Sequence, residues 1–166
     1  MSFWTELRPP TQCEALIAVT QCGWLSQYAQ KVGSLDSVFT IMAGYFALTG
    51  QIVTAAGGKL IKTLGDDALV VFPAAVVDDG IMALRRVRHD GREWFVRQGY
   101  DSRVIVKLDF GPVVLGCVGS PGEEHLDVFG KPVAGAFMLA STGFALTPAV
   151  FRSLSPEVRA LVPQGE

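Results

Sequence analysis

The chain has 166 residues, 49% of them apolar and 18% charged, with a formal net charge of −2 and a mean hydropathy of +0.34. That length suits one domain with a real core, and so apolar a composition implies either a large core or an apolar face covered by another subunit. A nucleic-acid binder would carry a basic stripe interleaved with aromatics; here the basic residues are scattered apart from Arg85, Arg86, Arg88 and Arg92, which read as the solvated face of a helix.

No apolar stretch is expected to reach the roughly 18 to 20 residues of a membrane span, because Gly, Asp, Lys and Gln interrupt each candidate. The opening MSFWTELRPP lacks the basic start and apolar centre of a secretory leader, so a cytosolic setting is expected. Cys13, Cys22 and Cys117 are an odd count without CxxC spacing. They suggest neither a disulfide framework nor a zinc site, and read as small buried hydrophobes.

In chain order, residues 13–19 (CEALIAV) predict a buried strand. Trp24 to Val32 predicts a short helix broken by Gly33 and Ser34. Ser34 then heads a longer helix, with Leu35, Val38, Phe39, Met42, Phe46, Ile52 and Val53 at three- and four-residue steps until Gly57-Gly58. Leu60 to Leu64 and Ala68 to Phe72 form a hairpin around Gly65-Asp66-Asp67. Val76 to about Gln98 is a third helix. Arg103 to Phe110 and Val113 to Val118 are expected as a second pair of strands around Gly111-Pro112, with Val128-Phe129 in another. Pro132 is placed near the first turn of a helix running to about Ser141, and Pro148 to Leu154 forms one more. The order β-α-α-β-β-α-β-β-α makes the sheet largely antiparallel with helices packed to one side, an α+β arrangement that fits a ferredoxin-like core.

Three blocks carry a resemblance: KLIKTLGDDALVVF at 59–72, FGPVVLGCVGSPGEEH at 110–125 and LDVFGKPVAGAFMLAS at 126–141. In this order and at these separations they resemble the catalytic domain of class III adenylate and guanylate cyclases, which close ATP or GTP into the 3′,5′-cyclic monophosphate. The resemblance covers about residues 12–155, leaving 1–11 as an N-terminal extension and 156–166 as a C-terminal tail. It implies the ferredoxin-like fold reached above from periodicity.

The resemblance also implies roles for individual residues. In the cyclases two carboxylates hold two Mg²⁺ or Mn²⁺ ions on the triphosphate, one ionising the 3′-hydroxyl and the other steadying pyrophosphate. The second carboxylate follows Gly in the hairpin turn, where Asp66 stands. The first precedes the Gly of a D-I-x-G-F-T pattern by three residues, and here TQCGWL puts Thr20 in its place, a weak neutral ligand for such an ion. Base reading falls to Lys62 and Asp127: Lys donates to the N1 edge of adenine while Asp accepts from the exocyclic amine, and guanine presents the reverse pattern. The ribose-fixing Asn and the transition-state Arg, seven and eleven residues after this Asp, are replaced by Ala134 and Met138.

One lost electrostatic donor costs about 10² to 10³ in rate, and such losses are non-additive. Three of them still leave little of a typical turnover near 10 s⁻¹. Lys131, four residues after Asp127, is placed near the expected phosphates as a substitute, with Glu123, Glu124 and His125 in the preceding loop. Gly111, Gly116 and Gly119 follow the family's GxxxxGxxG spacing but form no P-loop, since Cys117-Val118 stands where Lys-Ser or Lys-Thr would be needed. The expected function is therefore a catalytically impaired cyclase homology domain, a pseudoenzyme acting as a homodimeric regulatory or nucleotide-binding module for ATP or another nucleotide. The alternatives are an active cyclase with substitute residues and a partner subunit for an intact cyclase, the latter weakened because both half-sites are incomplete in this chain.

Overall fold

Six consecutive residues of β1 (Thr11–Gln21), from Ala15 to Thr20, are fully buried, which places this strand at the centre with both faces covered. The structure, a computed structural model, describes residues 2–162. β1 pairs antiparallel with β3 (Asp67–Pro73) on one side and with β4 (Ile105–Val118) on the other, so that Ile17 lies opposite both Val71 and Asp109. β2 (Lys59–Leu64) and β5 (His125–Phe129) complete the order β2-β3-β1-β4-β5, and a sixth short strand, β6 (Phe144–Leu146), runs parallel to the first half of β4. The α+β class and the antiparallel, ferredoxin-like sheet match expectation.

Alternation along β1 separates two cores. Leu16 and Ala18 face a large cluster supplied by α2 (Trp24–Tyr28), α3 (Leu35–Ala55) and α4 (Val77–Arg97), with Trp24, Tyr45, Ile81, Leu84 and Phe95 at its heart. On α4 the buried positions Val77, Ile81, Leu84, Val87, Gly91 and Phe95 recur at three- and four-residue steps, the stripe that docks a helix on a sheet. α3 and α4 approach closely at Gly44, where a Cβ would come within 2.3 Å of the Trp94 ring, and the Trp94 indole N–H donates to the Ile41 carbonyl at 3.2 Å. Ser34 caps α3 by accepting from the Ser37 amide at 3.2 Å, as its sequence position predicts.

Ala15, Ile17 and Val19 face a second, smaller cluster with Leu69, Val71, Val113, Leu115 and Val128. It is covered by α1 (Phe3–Glu6) and α5 (Lys131–Met138), so the helices are not confined to one side of the sheet. The reason is at the N-terminus: Phe3 and Trp4 pack on this cluster, and the Trp4 indole donates to the Gly57 carbonyl at 2.9 Å. The chain closes with α6 (Pro148–Ser153) and α7 (Pro156–Arg159), after which Val162 is buried in the larger core.

Three expectations are corrected. β4 is a single strand of 14 residues, not two around Gly111-Pro112. Pro112 falls where the outer edge of β4 is bare, between its pairing with β6 through Leu108 and with β5 from Val114, so the strand continues past it. α5 stops at Met138 rather than near Ser141 because Leu139 turns extended. α3 spans 21 residues with hydropathy 1.5, long and apolar enough by composition to cross a membrane, contrary to the expectation that no stretch qualifies. Its Tyr45, Thr49, Ile52 and Val53 are buried in the domain core, whereas Leu35 and Phe39 on its first turns are 86% and 75% exposed.

Candidate functional site

The hairpin between β2 and β3 turns at Gly65, whose φ of +60° is a conformation glycine adopts without a Cβ penalty. Asp66 follows it. Its backbone carbonyl accepts from the Cys22 amide at 3.4 Å and its carboxylate from the Leu25 amide at 3.3 Å, so the turn is clasped to the start of α2. Asp67 holds the same junction by accepting from the Gln21 side-chain amide at 3.2 Å.

Thr20 lies one strand position away from this junction, fully buried on β1 opposite Ala68 and Val106. Its hydroxyl and that of Thr49 flank the Tyr45 phenol in the larger core, yet none of the three meets a partner in good hydrogen-bond geometry. Burial pushes the Tyr45 phenol well above its ordinary range, with the nearby Cys22 thiol adding to the rise and the two threonine hydroxyls opposing it. Cys22 is pushed up to about 12, first by burial and further by the charges of Asp66 and Asp67. Among the described residues no group of three or more His, Cys, Asp or Glu side chains is arranged to hold a metal ion. One carboxylate already engaged with a backbone amide, beside a hydroxyl sunk in the core, does not fit a two-ion site.

Lys62 and Asp127 are brought together. The ammonium meets the carboxylate at 2.6 Å, Asp127 is only 4% exposed, and its second oxygen accepts from the Val128 amide at 2.8 Å. β2 and β5 stand at opposite ends of the strand order, so this contact requires the sheet to curl until its edges meet. A register irregularity between Leu60 and Lys62 marks where β2 bends.

α5 presents Val133 and Ala136 to the smaller core. Lys131, Ala134 and Met138 lie on its exposed side, Met138 being 84% exposed. Lys131 is the one cation on that side of the helix, and Ala134 and Met138 offer no donor. Glu123, Glu124 and His125 are exposed, with the Glu124 carboxylate turned back to the Gly122 amide at 3.0 Å.

Lys107 and Asp109 escape the sequence reading, although two charges inside the apolar run VIVKLDF are the signal that could have found them. The Lys107 ammonium donates to the Phe137 carbonyl at 2.9 Å. One Asp109 oxygen accepts from the Thr147 hydroxyl at 2.6 Å, and the other lies where any Cβ on Gly135 would come within 2.0 Å. Together they seat α5 on the sheet.

No protein-family model matches this chain, nor does any curated protein sequence. Solved structures do. A bacterial light-regulated adenylyl cyclase superposes with a TM-score of 0.76 at 20% identity, over 91% of this chain and 48% of that one. The adenylyl cyclase CyaB from P. aeruginosa gives 0.78 at 12% identity, over 88% and 82%. The fold is that of class III nucleotidyl cyclase catalytic domains. A class III adenylyl cyclase-like ATP-binding protein from Pseudomonas aeruginosa shares this cyclase fold too, with a TM-score of 0.76 at 16% identity over 95% of this chain and 38% of that one. The present chain thus spans about half the length of the light-regulated cyclase and less of the ATP-binding protein.

Proposed function

We propose that this domain binds an adenine nucleotide on the cyclase fold without cyclising it, and acts as a dimeric regulatory module. The observation that carries the reading is the Lys62–Asp127 pair, a buried carboxylate held 2.6 Å from an ammonium. Asp127 spends one oxygen on a backbone amide, and the other, with the half-exposed Lys62, supplies one acceptor and one donor side by side. That is the polarity of the adenine N1 and N6 edge, and it opposes the N1–H and O6 edge of guanine. A protein of this fold described as ATP-binding supports the reading.

Three further features support a loss of cyclase chemistry. Thr20 is buried, the Asp66 and Asp67 carboxylates are engaged by the Leu25 amide and the Gln21 side chain, and α5 carries Ala134 and Met138 where donors to ribose and phosphoryl oxygens would be required. Met138, Phe137 and Phe129 leave an exposed apolar surface at the end of β5 and on α5, which a second copy of the chain would cover. Calorimetric titration of ATP and GTP tests the reading: ATP binds more tightly, and Lys62→Ala weakens it about ten- to a hundredfold, the loss of one buried base-reading bond. Equal affinity for the two nucleotides, or no effect of Lys62→Ala, overturns it.

A further inference from the structure

The arginines of α4 do not form a plain solvated face. Arg85, Arg88 and Arg92 recur at steps of three and four along the helix, and the fold brings Arg103 and Thr142 from two separate loops against them. The result is a pair of adjoining depressions of about 230 and 320 Å³ that share Arg88 and Arg92, with Val104 and Phe144 as a buried floor. Arg85 donates to the Leu161 carbonyl and Arg92 to Asp101. Arg88 and Arg103 make neither an ion pair nor a hydrogen bond to any described residue, although Arg88 is half-buried. In a chain of net charge −2, four guanidinium groups and the His89 imidazole line this hollow, against two carboxylates paired among them, Asp101 with Arg92 and Asp90 with His89. Like charges so placed repel one another unless an anion lies between them.

We propose that this hollow binds the phosphate chain of a di- or triphosphate. Planar guanidinium forks match phosphate oxygens two at a time, which a lysine cannot do. Arg85, Arg88 and Arg92 are spread over about 10 Å of helix axis, so together they can line a chain of two or three linked phosphates. The Thr142 hydroxyl adds a neutral donor at the rim. Phe144 is buried in the floor and the one exposed ring among the lining residues, the His89 imidazole, is engaged with the Asp90 carboxylate at 3.0 Å, so the site is built for phosphate rather than for a base. The hollow is too small to track a nucleic-acid backbone. The inference does not depend on the adenine reading, since neither Lys62 nor Asp127 lines the hollow.

The chain is titrated calorimetrically with tripolyphosphate, with ATP and with a single-stranded oligonucleotide in metal-free buffer at fixed ionic strength. Tripolyphosphate is expected to saturate one site, and Arg88→Gln/Arg103→Gln to weaken it at least tenfold while leaving the thermal midpoint in place. Arg88→Lys/Arg103→Lys, which keeps the charge and loses the fork, falls in between, and Arg97→Gln, on the same helix outside the hollow, changes affinity less than twofold. If ATP weakens in parallel in the Gln pair, the phosphate chain is taken on a nucleotide; if ATP does not respond, the free inorganic chain is the ligand. Absence of saturable tripolyphosphate binding, equal losses in Arg97→Gln, or tighter binding of the oligonucleotide than of tripolyphosphate overturns the proposal.

Discussion

The Lys107 ammonium lies 2.9 Å from the Phe137 carbonyl, tying the middle of the sheet to the last turn of α5. Lys107 is 6% exposed and has no carboxylate within ion-pairing distance among the described residues. A cation at a helix C-terminus also meets the negative end of the helix dipole. Lys107→Ala deletes the donor, strands the carbonyl and opens a void, so a loss of about 2 to 3 kcal/mol is expected in urea denaturation. Lys107→Met, which refills the space, costs less; equal stability of Lys107→Ala and the parent chain contradicts the assignment.

Gly135 and Asp109 are coupled by contact. Gly135→Ala drives a methyl into the Asp109 carboxylate, against which it would sit at 2.0 Å, and a destabilisation of about 1 to 3 kcal/mol is expected from overpacking. Adding Asp109→Ala removes the obstacle, so the double variant should be more stable than the sum of the single losses implies. Strict additivity in the cycle counts against the contact.

Alkaline pH should unfold the domain through its core. The folded-state pKa of the Cys22 thiol is raised to about 12, and burial raises that of the Tyr45 phenol as well. Raised pKa values mean that the folded chain holds these protons more tightly than the unfolded one. The associated stability is complete below the unfolded thiol value near 9.0 and is lost as pH climbs toward the folded value. The thermal midpoint should fall between pH 9 and 12, and Cys22→Ala should flatten part of that fall. An unchanged slope in this variant contradicts the prediction.

Met138→Glu should turn a dimer into a monomer. The residue is 84% exposed on the outer side of α5, beside the partly exposed Phe137, and a carboxylate buried there without a partner is costly. Sedimentation at micromolar concentration reads the change. A parent chain that is already monomeric, or a variant that stays dimeric, excludes this face as the interface.

Incubation with ATP or GTP and Mn²⁺ or Mg²⁺ should yield no cyclic nucleotide above background. Robust turnover abolished by Asp66→Ala would show that Thr20, Ala134 and Met138 do not disable the site.

The fold was legible where one local signal sufficed. The unbroken apolar run at Ala15–Val19, the Gly65-Asp66-Asp67 turn and the Ser34 cap each state their structure within a few residues. Gly111-Pro112 misled because a turn dipeptide is locally indistinguishable from a strand with a bare edge, and that bareness depends on where β5 and β6 pair. β6 was missed because three residues carry no period. Of the site, Lys62 and Asp127, 65 positions apart, were linked only through a family resemblance, since nothing local ties one edge strand to the other. The arginines of α4 showed their helical spacing, but Arg103 and Thr142 reach them only through the tertiary fold, so the hollow had no signature along the chain.

A chain this rich in apolar residues has to avoid stacking against its own copies strand to strand. Open sheet edges are templates for that kind of growth, and short or lysine-bearing edge strands resist it. Here one outermost strand is five residues long and the other carries Lys59 and Lys62. The curl that brings Lys62 to Asp127 also closes the two rims toward each other. The ion pair proposed above to read a nucleotide base thereby also leaves less open sheet edge for another copy to pair with.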